Sequence, residues 1–339
     1  MHIQTVAGPV APASLGITLS HEHLVIDLRC AFSAPPTGLA HLADAEVTPE
    51  LRPALSQAAQ SCRANLILTG DSAVVEDLRE FRSLGGRTVV ELTSHGLHGD
   101  PLRLREISRE SGVQVIAGCG FYRHIAQDAR ALTMSAAEIA DQIVKALLTG
   151  IGDSDVRAGV IGEVGSSEPL HPFERASLIG AARAQRQTGV AINVHPDLWG
   201  RGHLEVLAIL EAAGADLSRT VMSHVDEVTD SAWHERIAER SVYLSFDTFG
   251  SEFAYDGVPE PRDADRIGWL LHLLDKGYAD RLLLSQDVCY KMQLSRYGGR
   301  GYSHLLADIV PELKRRGVSD DELRKMLVEN PARVLAVED

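Results

Sequence analysis

The chain has 339 residues, 45% of them hydrophobic, and a formal charge of −14. The apolar share is ample for a large core, while 47 acids against 33 Lys and Arg oppose binding to nucleic acid or an anionic membrane. No apolar run approaches the ~20 residues of a membrane span, and Met1-His2-Ile3-Gln4 opens no secretory signal.

Four separated cysteines (Cys30, Cys62, Cys119, Cys289), none in a CxxC pair, read as reduced and mostly buried thiols of a cytoplasmic protein. Residues 3–19 read as a short N-terminal β-hairpin broken at Gly8-Pro9 and Pro12. It leads into the strand that ends Ser20-His21-Glu22-His23. Residues 33–50, rich in proline, look like a surface excursion, and Thr48-Pro49-Glu50 resembles a helix start. A helical pattern from Asp71 through Val74, Val75, Leu78 and Phe81 stops at Gly85-Gly86. Then Thr88–Thr93 reads as a buried strand, Leu102–Ser111 as a helix and Val113–Gly118 as a strand. Ser135–Leu148 reads as a helix with Ser135 and Glu138 forming its capping box.

The alternation continues. Strands are expected at Val160–Gly162, Val190–Val194, Val221-Met222, Val242–Phe246 and Arg281–Leu284. Between and after them come helices at Pro172–Thr188, Leu204–Ala213, Ser231–Glu239, Asp263–Lys276, Ser303–Arg316 and Asp320–Leu327. About eight such alternations, with strands apolar on both faces and no linker, predict an α/β fold. The expected architecture is a single (β/α)8 TIM-type barrel domain spanning 1–339.

In such barrels chemistry collects where strands run out into loops. His21 and His23 end the first strand and, two residues apart, point the same way. Glu163, His195, His224, Asp247 and Asp287 each follow a later apolar run. Singly, each has a plain structural reading, as a rim histidine or a helix-capping acid. Together, four imidazoles and two or three carboxylates match the nitrogen and oxygen chemistry of a two-metal hydrolytic centre. His95, His98, His124 and His171 fall on loops near the same face, with supporting or surface roles preferred. His2, His41, His203, His234, His272 and His304 lie on helices or at the periphery, where nothing catalytic is expected.

The series SHEHL, IGEVG, INVHP, MSHVD and SQDV resembles the phosphotriesterase-like branch of the amidohydrolase superfamily, and most closely its phosphotriesterase-related (phosphotriesterase homology) proteins. The similarity runs from TVAGPV to the closing NPARVL. It implies that His21, His23 and Asp287 hold the more buried metal, and His195 and His224 the more exposed one. Where much of the family has a carboxylated lysine as the bridge, this chain has Glu163. The implied cofactors are two divalent metal ions, zinc first, with manganese or cobalt as alternatives. The implied assembly is a homodimer, and the expected partner a small-molecule substrate. Organophosphate hydrolases of the family carry a histidine after the seventh strand, and its lactonases an arginine. Here Thr248 stands, and Asp226-Glu227 lie nearby. That departure disfavours both an efficient phosphotriesterase and a typical quorum-quenching lactonase.

The expected chemistry is attack by a metal-bridging hydroxide on a small carboxylic ester, lactone or N-acyl amide, with Asp287 carrying the proton. Tyr122 after the third strand, and Arg296 and Tyr297 in the long segment after Asp287, are candidates for gripping an anionic substrate together with Thr248. Arg296 equally well pairs with surface acids. The absence of a GxSxG elbow disfavours a serine hydrolase. The alternatives are phosphotriesterase activity and a catalytically silent metal-binding relative.

Overall fold

The computed structural model describes residues 1–255 and 257–338. Eight strands form one parallel sheet in the sequential order of a barrel. They are Ile17–Glu22, Gly86–Glu91, Gln114–Cys119, Val160–Gly165, Ile192–His195, Thr220–Met222, Tyr243–Phe246 and Leu282–Leu284. The last strand meets the first through side chains rather than a regular ladder. Ser20 Oγ donates to the Leu284 carbonyl at 3.2 Å, and Ser285 Oγ accepts from His21 N at 3.0 Å. This seam positions the site, because the loop carrying Asp287 is sewn directly onto the strand carrying His21.

Apolar residues fill both sides of the sheet. Val90, Ile116, Val160, Val221, Tyr243 and Leu283, from six different strands, and Ala191, just ahead of a seventh, form one buried cluster with Ile3 and Leu15. Side chains from so many strands can touch only inside the barrel, so this cluster is its floor. The hairpin of Ile3–Thr5 and Gly8–Val10 supplies Ile3 to it. Polar groups are thereby confined to the opposite, C-terminal mouth.

The helices begin and end where local chemistry directs. Asp71 Oδ1 accepts from Ala73 N at 2.9 Å, ahead of Ser72–Ser83. Glu138 and Ser135 exchange bonds in the expected capping box ahead of Ala136–Leu148. Gly112, at φ +71°, ends Pro101–Ser111 in the left-handed conformation that glycine tolerates.

Three elements differ from the sequence expectation. Val25–Asp27 pairs antiparallel with Ile67–Thr69, closing the base of the 33–50 excursion, and each is too short to show a period of two. A small hairpin joins Ala254–Tyr255 to Val258–Pro259. The two C-terminal helices contain wide turns at Leu305–Ile309 and Lys325–Glu329. Both lead into a proline, Pro311 or Pro331, whose missing N–H leaves a carbonyl of the preceding turn without its usual donor.

Candidate metal centre

The first strand delivers two imidazoles to the mouth with ring centroids 5.4 Å apart. His23 Nδ1 lies 2.9 Å from Thr93 Oγ1, which in turn donates to Glu91 Oε1 at 2.5 Å. Because the threonine proton is committed to Glu91, Thr93 accepts from His23 Nδ1–H. His23 Nε2 is thus left facing inward. His21 is turned the same way: its Nδ1 touches Ser223 Oγ at 3.0 Å and Asp247 Oδ2 at 3.2 Å. Asp247 Oδ1 also takes His224 Nδ1 at 2.9 Å. One carboxylate therefore orients two rings.

The inward atoms converge. His21 Nε2 lies 3.5 Å from Glu163 Oε2 and 3.7 Å from Asp287 Oδ1. His23 Nε2 is 3.2 Å from Asp287 Oδ1 and 3.8 Å from Glu163 Oε1. His195 Nδ1 sits 2.9 Å from Glu163 Oε2 and 3.0 Å from His224 Nε2. Glu163 thus reaches all four histidines, Oε2 lying near His21, His195 and His224 and Oε1 near His23. All six residues proposed from the sequence as metal ligands, His21, His23, Glu163, His195, His224 and Asp287, meet here over 266 positions of chain.

Burial and charge shape their protonation. Burial pushes the Glu163 carboxyl upward, but the surrounding His195, His224 and His21 outweigh it and hold it well below the usual range. At Asp287 burial is likewise overcome, here by His23 and the fields of His21 and His224. Burial, with smaller contributions from His224 and Arg123, lowers His195, with Glu163 opposing. Among the buried atoms without a hydrogen-bond partner in the described residues are His21 Nε2 and Asp287 Oδ1. A buried polar atom left unpaired costs about 1–3 kcal/mol, and here both point into a cluster of nitrogen and carboxylate donors. The triads His21/His23/Glu163 and Glu163/His195/His224 each bring their ligand atoms within 4.8 Å of one another. Those donors fit divalent cations in chemistry and in spacing.

Sequence reasoning missed the groups that hold this arrangement. Glu22, between the two histidines, points away from the centre. Its Oε1 accepts from Ser285 Oγ at 2.7 Å and Gln286 N at 2.9 Å, and its Oε2 from Val288 N at 2.9 Å. It pins the loop that presents Asp287, and burial pushes its carboxyl up to about 8. The alternation of the HEH stretch was the available signal: when two residues face in, the one between must face out. Thr93, Glu91 and Ser223 carried no comparable signal.

The residues expected to contact substrate divide. Tyr122 reaches the centre, its hydroxyl 3.3 Å from His195 Nε2. Thr248 is turned away: its Oγ1 donates to Asp226 Oδ2 at 2.9 Å and accepts from Arg266 Nε at 2.8 Å. Arg296 is held by Glu76 and Ser72 at 2.9 Å each, on the helix after the first strand. This is the surface pairing that its sequence context left open. Tyr297 lies under Lys291, whose Nζ is 6.0 Å from the ring centroid. Of the loop histidines, His124 and His171 stack with centroids 4.3 Å apart at the rim, and Glu174 Oε1 takes His124 Nδ1 at 2.8 Å. His203, His234 and His304, expected on helices or at the periphery, are buried.

With this geometry in hand, similarity can be weighed. The sequence profile of the Phosphotriesterase family matches residues 1–335. N-acetyltaurine hydrolase of Tetraodon nigroviridis is 39% identical over 335 residues, covering 97% of this chain and 96% of the relative. The Homo sapiens N-acetyltaurine hydrolase is 35% identical, covering 98% and 97%. A resiniferatoxin-binding protein from Rhodobacter sphaeroides superposes with a TM-score of 0.96 at 40% identity, over 98% of this chain and 94% of that one. The phosphotriesterase homology protein of Escherichia coli, complexed with phosphate in its active site, superposes with a TM-score of 0.81 at 29% identity, over 95% and 99%.

Proposed function

The chain belongs to the phosphotriesterase family and is a metal-dependent hydrolase, and from that premise we propose that it uses a pair of cations to cleave a small N-acyl amide. The observation that carries this reading is the inward-facing, unpartnered pair His21 Nε2 and Asp287 Oδ1 within a ring of four imidazoles. In the proposal His21, His23 and Asp287 hold one cation, His195 and His224 hold the other, and Glu163 spans both. Zinc suits these donors best. When bound, the two cations activate water and polarise the substrate carbonyl.

The chain's own groups do the rest. Asp287 lies at the mouth with its carboxyl held ionised by His23 and its neighbours. It accepts the proton that the attacking water loses and delivers it to the departing amine nitrogen. Tyr122, its phenol kept protonated chiefly by burial, is placed beside His195 to donate to the carbonyl oxygen as negative charge develops there. Thr248, engaged with Asp226 and Arg266, has no free proton to relay, so Asp287 must discharge directly to the leaving group. An amine that departs as a free base can take that proton. The aryl alkoxide of a phosphotriester scarcely needs it, and this favours acyl over phosphoryl substrates.

The amide is placed ahead of a lactone or ester because full-length relatives at 35–39% identity are named N-acetyltaurine hydrolase. The Escherichia coli neighbour is complexed with phosphate in its active site, which supports an oxyanion-bearing substrate. The test is to purify the protein, determine its metal content by mass spectrometry, and assay N-acetyltaurine, a γ-lactone and a paraoxon-like triester. About two divalent ions per chain and fastest turnover of the amide are expected. A metal-free protein of full activity, or preference for the triester, sinks the proposal.

A further inference from the structure

In a chain with 14 more acids than cations, a half-buried arginine without an acidic partner is out of place. Arg123 is one: among the described residues its Nε is buried with no acceptor, and no carboxylate pairs with it. It follows Tyr122 directly, at the end of the third barrel strand. Its stem crosses Gly165, at the end of the strand that carries Glu163. A Cβ added to Gly165 would stand 2.9 Å from Arg123 Cγ and 2.3 Å from its backbone nitrogen. The glycine therefore makes room for the arginine.

The backbone around Arg123 is fixed. His124 N donates to Glu174 Oε1 at 3.0 Å, and the Arg123 carbonyl accepts from Ala126 N at 3.0 Å. Arg52 also has a buried, unpartnered Nε. It packs instead beside Gly298, its Cδ 3.2 Å from where a Cβ there would be. Of the cations in the loop after Asp287, Arg296 pairs with Glu76, Arg300 with Asp308, and Lys291 lies over the Tyr297 ring. Arg123 alone combines an open guanidinium with a place beside Tyr122.

We propose that Arg123 forms an anion-binding subsite that takes the terminal oxyanion, sulfonate or carboxylate, of a short N-acyl amide whose carbonyl lies between Tyr122 and His195. A guanidinium presents a planar fork that grips two oxygens of such a group at once. Desolvation by the surrounding strand ends strengthens that grip. The subsite rests on the amide reading above, but it can be tested apart from it.

The experiment compares the metal-loaded parent with Arg123→Met and Arg123→Lys on N-acetyltaurine, N-acetyl-β-alanine and neutral N-acetylethanolamine. Arg123→Met is expected to raise KM for an anionic amide by about 10- to 100-fold, the range of a charged hydrogen bond. Its kcat should stay within a few fold, turnover of the neutral amide should not change, and lysine should restore part of the loss. Whichever anionic amide loses more identifies the group bound. Equal losses on charged and neutral amides, or no loss on the charged ones, overturn the subsite. If the parent hydrolyses no amide, the amide reading fails. Calorimetric titration with N-acetyltaurine then decides the subsite: binding by the parent that Arg123→Met abolishes upholds it, and absent or equal binding removes it.

Discussion

Two buried polar clusters adjoin at the ends of the sixth and seventh barrel strands, and they stand in opposite states. In the first, His21, His23, Glu163, His195, His224 and Asp287 turn donor atoms toward one another, with no arginine or lysine paired to them among the described residues. In the second, Asp226, Glu227 and Glu260 gather around the fully buried Arg266, which contacts Glu227 at 2.8 Å, Asp226 at 3.4 Å and Glu260 at 3.7 Å. Burial and the neighbouring Glu227 push Glu260 far above the carboxylate range, so it stays protonated and can share that proton with Glu227. The acid excess here is met from within, by one guanidinium and one retained proton. Around the histidines no arginine or lysine is built in among the described residues, and only the imidazoles face the carboxylates. Buried charge is thus a structural feature where its counter-charge is built in, and points to a ligand where it is not.

The sharpest way to break this contrast is Asp287→Asn. It removes a proton acceptor from the open cluster and should lower kcat by about 10²- to 10⁴-fold, with the circular dichroism spectrum and thermal midpoint close to the parent's. Unchanged turnover would erase the assigned role. Next comes Arg266→Met, which strips the closed cluster of its only internal cation. Breaking a buried pair this way costs about 3–5 kcal/mol, measured as a lower urea midpoint, while the folded fraction keeps a near-parental kcat. A large kcat effect at unchanged stability would mean that the closed cluster takes part in chemistry.

The smallest effect is expected at Glu174, which ties the rim by accepting from Ser167 N at 2.9 Å, His124 N at 3.0 Å and His171 N at 3.1 Å. Burial raises this carboxyl, yet the bonds from Ser167, His124 and His171 hold it below its ordinary value. Its stabilisation is therefore complete above the unfolded value of about 4.3 and fades as pH falls through that value toward the folded one. Glu174→Gln should be less stable than the parent at pH 7, with the gap closing below about pH 4. A gap independent of pH would show that the ionised form is not what matters.

Much of this was legible in the sequence because each ligand ends an apolar run. A barrel whose strands are buried on both faces forces such residues to one mouth. The two-residue spacing of His21 and His23 fixed a shared direction without further information. What could not be read were groups whose roles depend on partners far along the chain. Glu22 holds Ser285, Gln286 and Val288 across more than 260 positions, and nothing local reports that distance. Thr248 and Arg296 drew attention as a family position and a loop cation, but their bonds with Asp226, Arg266 and Glu76 take them out of the pocket. Arg123 went unnoticed because its distinction is the lack of a partner, which only coordinates reveal.

His224 and Asp287 sit at φ +53° and +49°. Backbone in that corner tolerates asparagine, aspartate, histidine and glycine far better than β-branched residues. Any effort to retarget the centre by saturating those two positions therefore begins with a shortened alphabet. Valine, isoleucine and threonine should drop out at the folding step, before a single new substrate is screened.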